Sequence, residues 1–367
     1  MDSKKIDSLQ LFCLIIIFEF GSSALLDVGK EAGRSSWIVP LLGTVLGCVL
    51  YGVYTALFRY YPALPLTGYV SKILGKYIGS IVAALYILYF MYITARVTLD
   101  FSGLLVTTVY KNSSVFLVSL LMLISIAYVT SQGLQAIGRF SILCFIITAL
   151  TIVGIVALEI VEKLPEPVNL LPILDQGWQP IIQELLPKAV TVPFGEMIAF
   201  TMIFPVLKNA KKARKTGIFA LIVSGLYLSF SLALHTSILG EDVMKRAIFP
   251  VLSAVTLIDI GHFLTRLEVF VINILVILGF FKILLFFYCA VIGLADLIQT
   301  KNKNRLIIPC ALVVFILVQV IQTNYVEHLY IGFNIVPYYL HLPFQIIIPT
   351  VLLLIVIVKN KLRISKG

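Results

Sequence analysis

Phe18-Glu19-Phe20-Gly21-Ser22-Ser23 and Thr191-Val192-Pro193-Phe194-Gly195-Glu196 are the two places where long apolar runs of this chain are interrupted. Glycine and proline each weaken a helix, and proline also removes a backbone donor. Both stretches set a glutamate beside the break. They are also in register: Gly21 and Gly195 stand 174 residues apart, and each follows a phenylalanine. The apolar runs that contain them start at almost the same spacing. One such break reads as a packing glycine or a proline kink. Two at equivalent places in two halves are the sequence mark of a transporter-type site. Broken helices expose N–H and C=O groups that bind a carboxylate, an ammonium or an ion.

The rest of the chain gives these breaks a membrane setting. Of 367 residues 60% are hydrophobic and only 13% charged, and the mean hydropathy is +1.04. Soluble domains carry about 25% charged residues, and disorder needs low hydrophobicity with high net charge. An all-α integral membrane protein is predicted, because a spanning backbone must satisfy its own hydrogen bonds. A β-barrel would need alternating polarity, whereas Leu11–Phe18 and Ile346–Val358 are apolar all round. Ten spans are read at 8–30, 37–58, 78–108, 114–131, 137–160, 181–206, 215–238, 267–298, 306–323 and 338–358. They divide into a first five-helix repeat (8–160) and a second (181–358). Span 1 then runs one way and span 6 the other, so the repeat is inverted. Residues 63–77 read as an amphipathic helix along the interface. Val251–Leu264 reads as a helix over an outer vestibule, and loop 161–180, with Pro165, Pro167, Pro172 and Pro180, as irregular.

Basic residues orient the bundle. One side receives 18 of the 28 Lys and Arg, among them Lys4, Lys5, Lys208, Lys211, Lys212, Arg214, Lys215 and Lys366. The other side receives 8, and Arg96 and Lys282 lie inside spans. Both termini are therefore expected to be cytoplasmic. The net charge of +10 is accounted for by topology and contact with the lipid bilayer, and no nucleic-acid partner is expected. Because the first apolar run continues past Ser23, no cleavable signal is predicted.

Five-plus-five spans with breaks in spans 1 and 6 resemble the amino acid–polyamine–organocation superfamily, with its LeuT-like inverted-repeat core. Local wording is closer to one branch. Gly29-Lys30-Glu31-Ala32-Gly33-Arg34-Ser35-Ser36-Trp37-Ile38 is similar to the G-x-x-A-G-R-x-x-W-I stretch of spore germination permeases, the B subunits of nutrient germinant receptors. Val192–Glu196 matches as well. Ile260-Gly261-His262-Phe263-Leu264-Thr265-Arg266-Leu267-Glu268 is similar to the family's I-G-x-F-L-x-R-L-[DE]. The resemblance spans the chain. It implies a spore inner-membrane location and A and C receptor subunits as partners. It also implies a small nutrient ligand, most simply an amino acid.

Charges inside a membrane are costly and mark functional positions by default. Glu19, Glu196 and Lys282 each fall roughly 11 to 15 residues into a span, near mid-depth at 1.5 Å per residue. Two acids and one base at one level predict a buried polar cluster. Arg96 and Asp100, four apart on span 3, are predicted to pair, with Tyr89 and Tyr92 continuing their stripe. The resemblance makes span 3 a wall of the ligand cavity. The expected ligand-binding set is Glu19, Phe20, Gly21, Ser22, Ser23, Tyr89, Tyr92, Thr191, Pro193, Phe194, Gly195 and Glu196. Lys282, Arg96 and Asp100 supply the built-in charges. Many members of the superfamily bridge spans 1 and 8 with sodium, and Lys282 on span 8 stands in as a built-in cation. Asp27 and Asp296, nearer span ends, are expected to meet water.

The chain offers little to other chemistry. The five cysteines sit in apolar runs without a CxxC, so neither a disulfide framework nor a zinc site is predicted. His235, His262, His328 and His341 show no metal spacing. No catalytic pair or nucleotide fingerprint has its structural context, so neither an enzyme nor a cofactor is expected. The leading reading is a ligand-sensing receptor subunit on an amino-acid permease fold. The alternative is a secondary active transporter for amino acids or cations.

Overall fold

The computed structural model describes residues 5–259, 266–322 and 324–364. The α-helices run in chain order α1 (Ser8–Leu26), α2 (Ile38–Tyr60), α3 (Leu66–Leu74), α4 (Lys76–Thr108), α5 (Val115–Gln132), α6 (Leu134–Val161) and α7 (Gln179–Glu184). They continue as α8 (Ala213–Arg246), α9 (Pro250–Val255), α10 (Glu268–Leu297), α11 (Asn304–Ile321), α12 (Tyr325–Asn334) and α13 (Ile348–Ile364). Among the described residues there is no strand, only an isolated bridge between Ile6 and Leu207.

Nine described helices are long and apolar enough to cross a membrane. The ninth is the continuous run Pro337–Leu362, whose first part, Pro337–Ile347, is π-helical. Leu150 is 69% exposed and Val320 72%. Apolar faces this open suit lipid rather than water, so the chain is a multi-pass membrane protein. α1 is enclosed instead. Every residue from Cys13 to Gly29 is buried, and the helix packs against α6, α8 and α10, as expected of a helix apolar on all sides.

Both expected breaks exist. α1 leaves helical geometry at Gly21 (φ −19°, ψ −108°). The stretch read as span 6 is no continuous helix. It divides into α7, a π turn at Leu185–Ala189 and a 3-10 stretch at Phe194–Met202. Pro187 and Pro193 lack the N–H that would continue the ladder. Leu186, ahead of a proline, takes extended backbone (φ −117°, ψ 121°).

The interfacial helix expected over 63–77 is α3, between Pro65 and Gly75, with Leu66, Tyr69, Val70 and Ile73 buried. The outer helix expected over Val251–Leu264 is shorter: α9 stops at Val255. Residues 260–265, with most of the third motif and His262, lie outside the described residues, as do Lys4 and Lys366. In loop 161–180 only Pro167–Leu170 forms a helical turn before α7.

The 29–38 motif clasps one end of the bundle. Gly33 has φ 65°, and a Cβ there would lie 2.5 Å from Glu241 Oε1. Arg34 meets Glu241 at 3.3 Å and donates to the Leu171 carbonyl at 2.5 Å. Lys30 donates to the Ala247 carbonyl at 2.5 Å. Ser229 Oγ donates to the Trp37 carbonyl at 2.7 Å.

Candidate functional site

Lys282, in the middle of α10, places Nζ 2.5 Å from Glu196 Oε2, and both side chains are buried. The contact is close but not aligned for a hydrogen bond. Glu196 opens the 3-10 stretch that follows Pro193. The lysine stem lies across the α1 break: a Cβ on Gly21 would come within 2.5 Å of Lys282 Cδ. Only glycine allows that approach. The ammonium also sits 5.5 Å from the centre of the Phe18 ring. Glu19, one residue further along α1, is fully buried, and neither of its carboxylate oxygens has a hydrogen-bond partner among the described residues. It lies close enough to Lys282 and Glu196 to interact with their charges. Two carboxylates thus share one cation. Such a group is costly to bury unless its charges are answered.

A cavity adjoins this group. Ser22, Glu196, Arg96, Asp100, Lys188 and His341 are among its lining residues. The direct Arg96–Asp100 pair expected from their spacing does not form. Arg96 Nη2 donates to the His328 carbonyl at 2.5 Å, and His328 Nε2 meets Asp100 Oδ1 at 2.7 Å. α12 lies over this face of α4, so one histidine satisfies both groups. Charge-assisted bonds of this kind are stronger than neutral ones.

Beside the second break lies a polar cage that spacing alone did not reveal. Gln345 donates to Tyr89 Oη at 2.8 Å, and Tyr89 Oη meets His341 Nδ1 at 2.8 Å. Tyr54 Oη donates to the Gly195 carbonyl at 3.0 Å and the Gln345 carbonyl at 2.7 Å. A Cβ on Gly195 would strike Gln345 Oε1. His341 and Gln345 come from the π-helical segment, a geometry that recurs at functional sites. The available signals were Pro337 and Pro343 inside an apolar run, and the lone amide of Gln345.

Other expected ligand contacts point elsewhere. Phe20 turns to α8, where its ring lies 4.4 Å from that of Tyr227. Phe194 fills the groove left by Gly43 and Gly47 of α2. Ser23 and Pro193 line a smaller pocket with Phe194 and Asp27. Thr191 Oγ1 donates to the Lys188 carbonyl at 3.0 Å. Tyr92 is half-buried and outside the cavity lining. Asp27 is not solvated as expected: it is 2% exposed and meets His235 Nδ1 at 3.2 Å. Asp296 is half-buried and accepts from Thr67 Oγ1 at 2.6 Å. Among the described residues no three His, Cys, Asp or Glu side chains gather as a metal site.

Similarity to known proteins covers the same length as these features. A family model described as Spore germination protein matches residues 5–326. Spore germination protein KB of Bacillus subtilis (strain 168) is 38% identical over 370 residues, which is 100% of this chain and 99% of that protein. Spore germination protein YndE of the same strain is 24% identical over 270 residues, 72% of each chain. Spore germination protein B2 is 23% identical over 283 residues, 76% of this chain and 75% of that one. All three relatives are named as spore germination proteins. With a family model matched over most of its length and a relative aligned end to end, the chain belongs to the spore germination protein family.

Proposed function

We propose that this chain is the nutrient-binding subunit of a germinant receptor. It has ten spans in a 5+5 inverted repeat, with 181–206 as the broken sixth, and both termini are cytoplasmic. It resides in the spore inner membrane and passes its signal to A and C receptor subunits. The ligand is a small nutrient, most simply an amino acid, held beside the breaks at Gly21 and Pro193–Gly195. The observation that carries this reading is the buried Glu196–Lys282 pair beside Glu19, whose carboxylate has no hydrogen-bond partner among the described residues. A zwitterion complements that arrangement. Its ammonium answers the spare carboxylate. Its own carboxylate finds backbone N–H groups freed at the α1 break and the guanidinium of Arg96. Lys282 supplies the cation that a sodium ion supplies elsewhere in the superfamily.

The test is genetic and biochemical. Spores that lack the gene are exposed to single amino acids and sugars, and the response to at least one is expected to vanish. Glu196→Gln protein, present at parental level, is expected not to restore it. Vesicles that hold the chain alone are expected not to accumulate that nutrient. Uptake into those vesicles supports the transporter reading, and unchanged germination in every nutrient rejects the receptor reading.

A further inference from the structure

Across α1 from the central cavity lies a second buried acid that the central group does not use. Glu159, near the C-terminal end of α6, is 1% exposed, and neither of its carboxylate oxygens has a hydrogen-bond partner among the described residues. It lines a cleft between α1, α6, α8, α9 and α10. The other walls are mainly hydrocarbon, including Ile155, Leu275 and Leu278, with the rings of Tyr227 and Phe230. His235 also lines the cleft, near enough to Glu159 to act on it electrostatically. Its imidazole is already committed to Asp27 at 3.2 Å. Glu159 is therefore left without a hydrogen-bonded cation among the described residues.

We infer that this cleft is a second ligand site, specific for a small protonated amine with an apolar body. The ammonium meets the Glu159 carboxylate, which is costly to bury ionised without a cation. The hydrocarbon walls and the ring faces of Tyr227 and Phe230 receive the body. An anion would be repelled by Glu159, and a neutral molecule would leave it unanswered. The cleft and the central cavity share α1 as a wall: Ser22 and Leu26 line the cavity, and Ala24 lines the cleft. The assignment does not depend on the nutrient reading of the central site.

The test uses the full chain in lipid nanodiscs at pH 7 and titrates cyclohexylammonium, with cyclohexanol and cyclohexanecarboxylate as neutral and anionic counterparts. Binding of the amine alone is expected. Glu159→Gln, which keeps the side-chain shape, is expected to weaken it by about tenfold or more. Leu278→Trp, which fills the cleft from α10, is expected to do the same, so a folding defect in one variant does not leave the question open. The inference is overturned if the parent protein binds no amine, if the carboxylate binds as tightly, or if both variants bind like the parent. It is also overturned if binding is abolished by Glu196→Gln and kept by Glu159→Gln, which would place the amine in the central cavity.

Discussion

At Lys282 one ammonium is brought to a place that holds two carboxylates, Glu19 and Glu196. Removing one partner of a buried pair costs about 3–5 kcal/mol, because the other charge stays behind. Lys282→Ala is therefore expected to abolish the nutrient response. Lys282→Met keeps most of the stem over Gly21 and is expected to rescue little, since the charge and not the volume is missing. Germination assays at matched protein level, with and without sodium, check both points. The response is expected to be independent of sodium. A sodium requirement together with a normal Lys282→Met response would reduce the lysine to a filler. The glycines test the placement of the ligand. Gly21→Leu drives a side chain into Lys282, and Gly195→Leu drives one into Gln345. Both are expected to block the response while protein remains in the membrane. Normal sensitivity in both would move the ligand away from the breaks.

The elements show what local chemistry controls. In the stretch 179–206 the prolines alone account for the break, since a missing donor is a local property. The clasp after α1 depends on Gly33, whose φ of 65° with ψ of −137° is a backbone state that side chains rarely adopt. Gly33→Ala adds strain of about 1–3 kcal/mol and crowds Glu241, so the thermal midpoint of the purified protein is expected to fall. Gly154 is the comparison. It lies inside α6 with open space where a Cβ would go. Gly154→Ala is expected to stabilise by roughly 0.5–1 kcal/mol through helix entropy. A clasp indifferent to Gly33→Ala would mean that the turn reshapes freely. The π-helical segment Pro337–Ile347 was harder to read. Its two prolines signal a disturbed helix, but not that the disturbance aims His341 and Gln345 at the second break.

For the whole molecule, the bridge between Ile6 and Leu207 puts the N-terminal segment and the basic run Lys208–Lys215 at one end of the bundle. The distribution of positive charge is the ground on which that end is proposed to be cytoplasmic. A cysteine at the exposed Asn209 is expected to react with an impermeant thiol reagent only after the membrane is opened. Labelling of intact cells would invert the orientation and every loop assignment with it. The sequence by itself determined the helical membrane class, most helix limits to within a few residues, and the breaks at Gly21 and in the stretch 181–206. Hydropathy, glycine and proline act along the chain, so these features need no knowledge of neighbours. It also marked Glu19, Glu196 and Lys282, because a charge deep in an apolar run needs an answer wherever the run packs. Only the tertiary structure decided which answer each charge receives. Spacing on one helix proposed that Arg96 and Asp100 meet each other, yet α12 brings His328 between them. Asp27, read as solvated, is buried on His235 from α8, and Phe20 and Phe194 turn from the cavity into neighbouring helices. These partners are remote in sequence, and the packing of one helix on another, which no local pattern encodes, determines which of them a side chain meets.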